Sequence, residues 1–253
     1  MAHHDSVELA VLRWSAWAPG LDSQASWRDW AAGHRGIERG TDPGVRFVEP
    51  LLRRRLSRLS RTAFQVAVDC LKDTDPAPLC IFCSRYGEIA RAYQLLCGLA
   101  HRETLSPNGF SLSVHNATSG LFSIWRKDRL PSIVLSAADA TIEAGFLEAW
   151  SALTVGDADR VLVVYHDEPL PAAYGDQVSG IEVSTALGVL LELPENVKTS
   201  PKLQLRWHAT EIDTESGNHG KSSNLEIIKL LTCQKEQVVI NSERMTWVWN
   251  YLQ

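Results

Sequence analysis

Ser113, His115 and Ser119 stand close together in the chain, and Asp139 follows. A hydroxyl, an imidazole and a carboxylate are the parts of an acyl-transfer relay, in which the base takes the hydroxyl proton and the acid orients the base. The surrounding run lacks the Gly-x-Ser-x-Gly pattern of a hydrolase elbow, and strand alternation puts Ser113 and His115 on one side without bonding them. The plainer reading makes His115 a structural residue beside a turn and Ser119 a small residue allowing close packing next to Gly120. Cys80-Ile-Phe-Cys83 has the spacing of a redox or metal pair. It lies in an apolar run, residues 79–84, that reads as a buried strand, where residues three apart face opposite sides and cannot clasp one metal. Cys70, Cys97 and Cys233 bring the cysteines to an odd five, which fits free thiols in a reducing compartment. His3 and His4 have no further ligands nearby, and no phosphate loop, dinucleotide fingerprint or metal cluster is found, so neither metal nor cofactor is expected.

The elements that would hold these residues follow from periodicity. Phe110, Leu112 and Val114 alternate with Ser111, Ser113 and His115, which predicts a strand. Asn116 then starts a helix over 117–125, so poor in charge that it is expected to be buried. Residues 132–136 read as a short apolar strand, and Ala137-Ala138-Asp139-Ala140 turns into a helix with Ile142, Phe146, Ala149 and Leu153 on one face. Upstream, residues 7–17 alternate as a first strand. Residues 47–71 hold one helix, starting after Pro50 or with that proline in its first turn, whose core stripe includes Leu52, Leu56, Leu59, Ala63, Val66 and Cys70, with Arg53, Arg54, Arg55, Arg58 and Arg61 crowded at its start. Residues 89–100 read as a helix and 160–165 as a fully buried strand. Residues 186–193 and 202–208 read as an antiparallel pair, 224–231 as a short helix, and 246–251 as a strand with Trp247, Trp249 and Tyr251 on one face.

The strand, elbow and buried helix read over 110–125 resemble the nucleophile elbow of the β-ketoacyl synthases, thiolase-fold enzymes that condense acyl chains on acyl carrier proteins. That family places its cysteine in a run close to Ala-Cys-Ala-Ser-Gly. The run here is Asn116-Ala117-Thr118-Ser119-Gly120, and matching its Ser-Gly puts Ala117, which has no nucleophile, at the cysteine. The 51–57 run, the 80–84 strand and the Arg85-Tyr86-Gly87-Glu88 turn resemble a short ketosynthase-like family, the β-ketoacyl synthase N-terminal domains. The resemblance spans residues 7–174. It implies an α/β thiolase-like half, layered α/β/α, over 1–210, with a linker at 211–223 and a β-rich extension at 224–253 packed on the same domain.

The same resemblance implies a catalytically silent subunit that pairs with a complete β-ketoacyl synthase, as chain length factors do in type II fatty acid, polyketide or aryl polyene systems. Only a first thiolase half would be present, and neither His208 nor His219 has the glycine-flanked setting of the family's histidines. Phe110, Leu112, Val114, His115, Asn116, Ala117 and Phe122 become the acyl-tunnel or dimer-interface residues. Arg53, Arg54, Arg55 and Arg58 become a docking face for an acidic acyl carrier protein. The alternative is a stand-alone thioester enzyme or carrier-binding protein using Ser119 and His115 instead of cysteine.

Composition fits these expectations. The chain of 253 residues is 45% hydrophobic and 22% charged, enough for a large globular core. A formal net charge of -5 gives no reason to invoke nucleic acid. With no membrane-length apolar run and no signal-like start, the expected location is the cytoplasm.

Overall fold

The computed structural model describes residues 6–71, 77–174, 183–210, 223–242 and 244–253. The strands are β1 (Ser6–Trp17), β2 (Leu79–Cys83), β3 (Ser132–Leu135), β4 (Val161–Asp167), β5 (Thr185–Glu192), β6 (Lys202–Ala209), β7 (Gln237–Asn241) and β8 (Met245–Leu252). The helices are α1 (Gln24–Ala31), α2 (Pro50–Arg53), α3 (Arg58–Cys70), α4 (Ile89–Ala100), α5 (Pro107–Ser111), α6 (Ala117–Arg126), α7 (Thr141–Val155) and α8 (Ser223–Cys233). All strands join one sheet in the order β3-β2-β4-β5-β1-β6-β8-β7. β2 runs parallel to β3 and β4, and every pairing from β4–β5 onward is antiparallel.

Helices cover both faces, so the strands alternate between two cores. Ile81, Cys83, Val161, Val163 and Tyr165 face α7 and α8, while Cys80, Phe82, Leu162 and Val164 face α3 and α6. Cys80 and Cys83 thus lie on opposite sides of the sheet. α7 rests close on β2: a Cβ on Gly145 would stand 2.5 Å from Cys83 Sγ. Beneath α3 and α6, Phe122 packs edge-on to Phe64 and Phe82, with ring centroids 5.1 and 5.5 Å away, and Trp125 closes the group. Each such ring pair adds about 0.5–1.5 kcal/mol beyond its buried area.

Three expectations fail for local or topological reasons. Residues 110–115 form no strand: Pro107 occupies the first turn of α5 and Ser106 Oγ accepts from Gly109 N, so a capped helical turn overrides the alternation. The single helix over 47–71 is two, because Ser57 caps a fresh start, its Oγ accepting from Ser60 N at 2.9 Å. β5 and β6 do not pair with each other, since β1 lies between them and is antiparallel to both. The 211–223 linker falls, up to residue 222, outside the described residues.

Candidate functional site

The sharp strand-to-helix turn of this fold is at residues 136–140, downstream of the Ala117 position. β3 ends at Leu135, Ala138 adopts φ +49°, and α7 begins at Thr141 with its first buried residues at once. A left-handed alanine costs about 1–3 kcal/mol and persists only where the surroundings impose it. Here Thr141 Oγ1 does so, donating to Ala138 O at 2.7 Å and accepting from Ala137 N at 2.9 Å. The turn runs Ala138-Asp139-Ala140-Thr141-Ile142, and its one charged side chain, Asp139, pairs with Arg85.

The loop after β2 ties this turn to its neighbours. Ser84 N donates to Leu135 O at 3.2 Å, and Ser136 Oγ donates to Arg85 O at 2.9 Å. Asp167, at the end of β4, accepts from Ser84 Oγ at 2.8 Å and from Arg85 N at 3.1 Å. Burial pushes the Asp167 carboxyl up, while the bonds from Tyr165, Ser84 and Arg85 oppose the rise. His166 is pushed down to about 4, chiefly by burial, which disfavours its charged form. Gly87 N donates to Ser84 Oγ, and the positive φ of Gly87 lets the His115 ring lie against it.

His115 closes the circle. Its Nε2 lies 2.9 Å from Ser84 O, and because a carbonyl only accepts, this nitrogen carries the proton. The 112–117 segment is thereby held against the loop that follows β2. On it Phe110 and Val114 are 67% and 48% exposed, Asn116 is exposed, and Leu112 and Ala117 are buried. α6 does begin after Asn116, but without a side-chain cap. Phe122 is 2% exposed, inside the aromatic core. Ser113 Oγ donates to Phe110 O and Ser119 Oγ to Asn116 O. With His115 on Ser84 O and Asp139 on Arg85, the four groups form no proton relay.

A second polar knot lies behind α6. Glu88, 4% exposed, accepts at one oxygen from Ser57 Oγ (2.6 Å) and Ser60 Oγ (2.9 Å), with Arg91 Nε 3.5 Å from the other. Ser60 Oγ also meets Thr118 Oγ1 at 2.9 Å, which fixes the start of α6. Glu168 is raised to about 7, first by burial and then by the charge of Glu88. Of the arginines, Arg58 is paired with Asp42 at 2.7 Å and Arg55 donates to Asn108 at 3.2 Å, while Arg54 and Arg55 remain exposed. Among the described residues no cluster of three or more potential ligands is placed to hold a metal, and no helix is long and apolar enough to cross a membrane.

Sequence reading names Asp139 only as the orienting acid of a relay, and the 84–88 loop only as part of the family resemblance; the pairing of the two is what it misses. The signal was present: a short apolar strand at 132–136 running through two alanines into an apolar helix has the same form as the unit sought upstream.

A mixed sheet with helices on both faces and an elbow leading into a buried helix defines a thiolase-like ketosynthase fold. The sequence model of the β-ketoacyl synthase N-terminal domain matches residues 27–250, and the chain belongs to that family. Among solved structures it is similar to a chain from the ketosynthase ApeO in complex with its chain length factor ApeC from Xenorhabdus doucetiae. That likeness has 25% identity and a TM-score of 0.79, over 96% of this chain and 99% of that one. A chain of the ishigamide ketosynthase/chain length factor matches at 12% identity and TM-score 0.73, over 97% of this chain and 99% of that one. A chain of AntDE:AntF, a type II polyketide synthase acyl-carrier protein in complex with its ketosynthase, matches at 11% identity and TM-score 0.68, over 97% and 99%. The last two show the fold alone. No curated protein sequence matches.

Proposed function

We propose that this chain is a non-condensing ketosynthase-like subunit that pairs with a complete β-ketoacyl synthase, in the manner of a chain length factor, and shapes the acyl tunnel of the pair. The observation that carries the reading is the edge of the sheet. β3 is the outermost strand, and among the described residues none pairs with its outer side. An open edge beside an elbow is a template for a strand of another subunit. Leu135 O accepts from Ser84 N, so the neighbouring Val134 turns its N–H and C=O outward. Leu130, two residues before β3, is an exposed apolar side chain, as are Phe110 and Val114, and a partner would cover them.

The absence of condensing chemistry follows from Asp139 at the elbow. A condensing enzyme of this fold needs a thiolate there. Burial pushes Cys70 and Cys80 up to about 12 and Cys83 higher still, so these thiols cannot substitute. In this reading Phe110, Val114, His115 and Asn116 face the partner and its acyl chain. Arg53, Arg54, Arg55 and Arg58 offer an acidic acyl carrier protein a basic approach. The pair would work in the cytoplasm, in polyketide, fatty acid or aryl polyene assembly.

The test is size-exclusion chromatography with light scattering on the chain alone and co-expressed with complete β-ketoacyl synthases from the same genome. A stable one-to-one complex supports the reading. A monodisperse chain that ignores the ketosynthase overturns it.

A further inference from the structure

The ion pair at the elbow has a rigid support. Arg85 side-chain exposure is 16%, against 55% for Asp139, so the cation is the inner member. Its backbone N–H donates to both Asp167 oxygens at 3.1 and 3.2 Å, and its carbonyl accepts from Ser136 Oγ. The guanidinium carbon lies 5.2 Å from the Tyr86 ring centroid. An arginine held by its own peptide groups and delivered to a positive-φ turn is a fixed counter-charge, and a guanidinium does not lose its proton.

We propose that Arg85 makes the elbow an anion-holding position, with Asp139 as its resident anion, so that a thiol placed at residue 139 would be held as thiolate. This goes beyond the partner-subunit reading, because it needs only the contacts within this chain. The charged and titratable groups around the position are Arg85 from the loop after β2, Tyr165 and Asp167 from β4, and Glu143 one turn along α7. Burial raises Tyr165, which does not oppose an anion, and Asp167 is turned to the Ser84 hydroxyl and the Arg85 N–H. Arg85 is in direct contact and dominates. Arg85 is thus a positioning residue: it sets the charge state of whatever stands at the elbow.

The experiment places Asp139→Cys in a Cys97→Ser/Cys233→Ser background and follows iodoacetamide alkylation against pH by peptide-resolved mass spectrometry. Cys70, Cys80 and Cys83 are buried and unreactive. The introduced thiol is expected to titrate about one unit or more below the ordinary 8.5, and Arg85→Gln to return it to that value or above. A midpoint at or above 8.5 with Arg85 intact, or one that Arg85→Gln leaves unmoved, overturns the proposal. If Asp139→Cys does not fold, the unfolding midpoints of Arg85→Gln, Asp139→Asn and the double variant decide instead. Non-additive shifts support the pairing and additive ones overturn it.

Discussion

The His115 ring lies so close to Gly87 that a Cβ built on the glycine would stand 2.7 Å from His115 Cδ2. Gly87 also has φ +55°, a region that side chains disfavour. Strain and clash act together, so Gly87→Ala is expected to destabilise the chain by about 1–3 kcal/mol. Urea unfolding checks it. A loss within a few tenths of a kcal/mol would mean that the 84–88 loop does not hold the 112–117 segment in place.

Phe122 and Phe110 separate core from surface. Phe122→Ala empties the centre of the Phe64, Phe82 and Trp125 group and is expected to cost about 3–5 kcal/mol. Phe110→Ala, at a side chain 67% exposed, is expected to stay within about 0.5 kcal/mol for the lone chain. In the complex the ranking reverses for function: Phe110→Ala or Phe110→Trp is expected to shift product length or weaken assembly. Unchanged products and unchanged assembly with both would remove Phe110 from the interface.

The outward N–H of Val134 gives a direct probe of the edge. Val134→Pro removes a donor that the sheet itself does not use, so the lone chain is expected to keep most of its stability. Co-elution with the ketosynthase should fail. A complex that survives this substitution would show that β3 is not the strand the partner adds to.

Glu143 supplies a pH dependence. It is fully buried in α7, neither oxygen has a hydrogen-bond partner among the described residues, and burial pushes it from 4.5 to about 7. The folded chain holds this proton more tightly than the unfolded one. Its contribution is complete below pH 4.5, falls as pH rises to 7, and then levels off. Glu143→Gln should therefore gain stability relative to the parent over that window, reaching about 3 kcal/mol above pH 7. His166 has the opposite sign: its contribution is full above pH 6.5 and fades as pH falls toward 4. Urea unfolding of both proteins at pH 5, 6, 7 and 8 isolates the Glu143 share, and a constant difference across the series would refute it.

Much of the fold was legible because it is periodic. β1, β2 and β4 show as apolar or alternating runs, and α4 and α7 as stripes at helical spacing. The failures have physical causes. At 106–115 two local signals compete, and the Ser106-Pro107 start of a helix wins over three alternating apolar residues. The position of β1 between β5 and β6 is decided by pairing across the whole chain, which periodicity does not contain. The Ser119-Gly120 pair points to residues 116–120, whereas the strand-to-helix turn stands where Thr141 holds Ala138 left-handed and Arg85 reaches Asp139, relations that arise only once β2 and β3 lie side by side. The buried Glu88 is equally hidden, since its partners Ser57 and Ser60 come from the start of α3, about thirty residues away in the chain.

The place of β1 in the sheet also sets a timetable. Its partners lie at residues 186–192 and 202–206. At about 5–20 residues per second of translation, β1 waits on the order of ten seconds or longer before either exists. During that time Val7, Leu9 and Val11 have no sheet to enter, and an unpaired apolar strand is prone to wrong associations. Production of this protein should therefore depend on a holdase during synthesis and on slower elongation less than on the final stability of the fold.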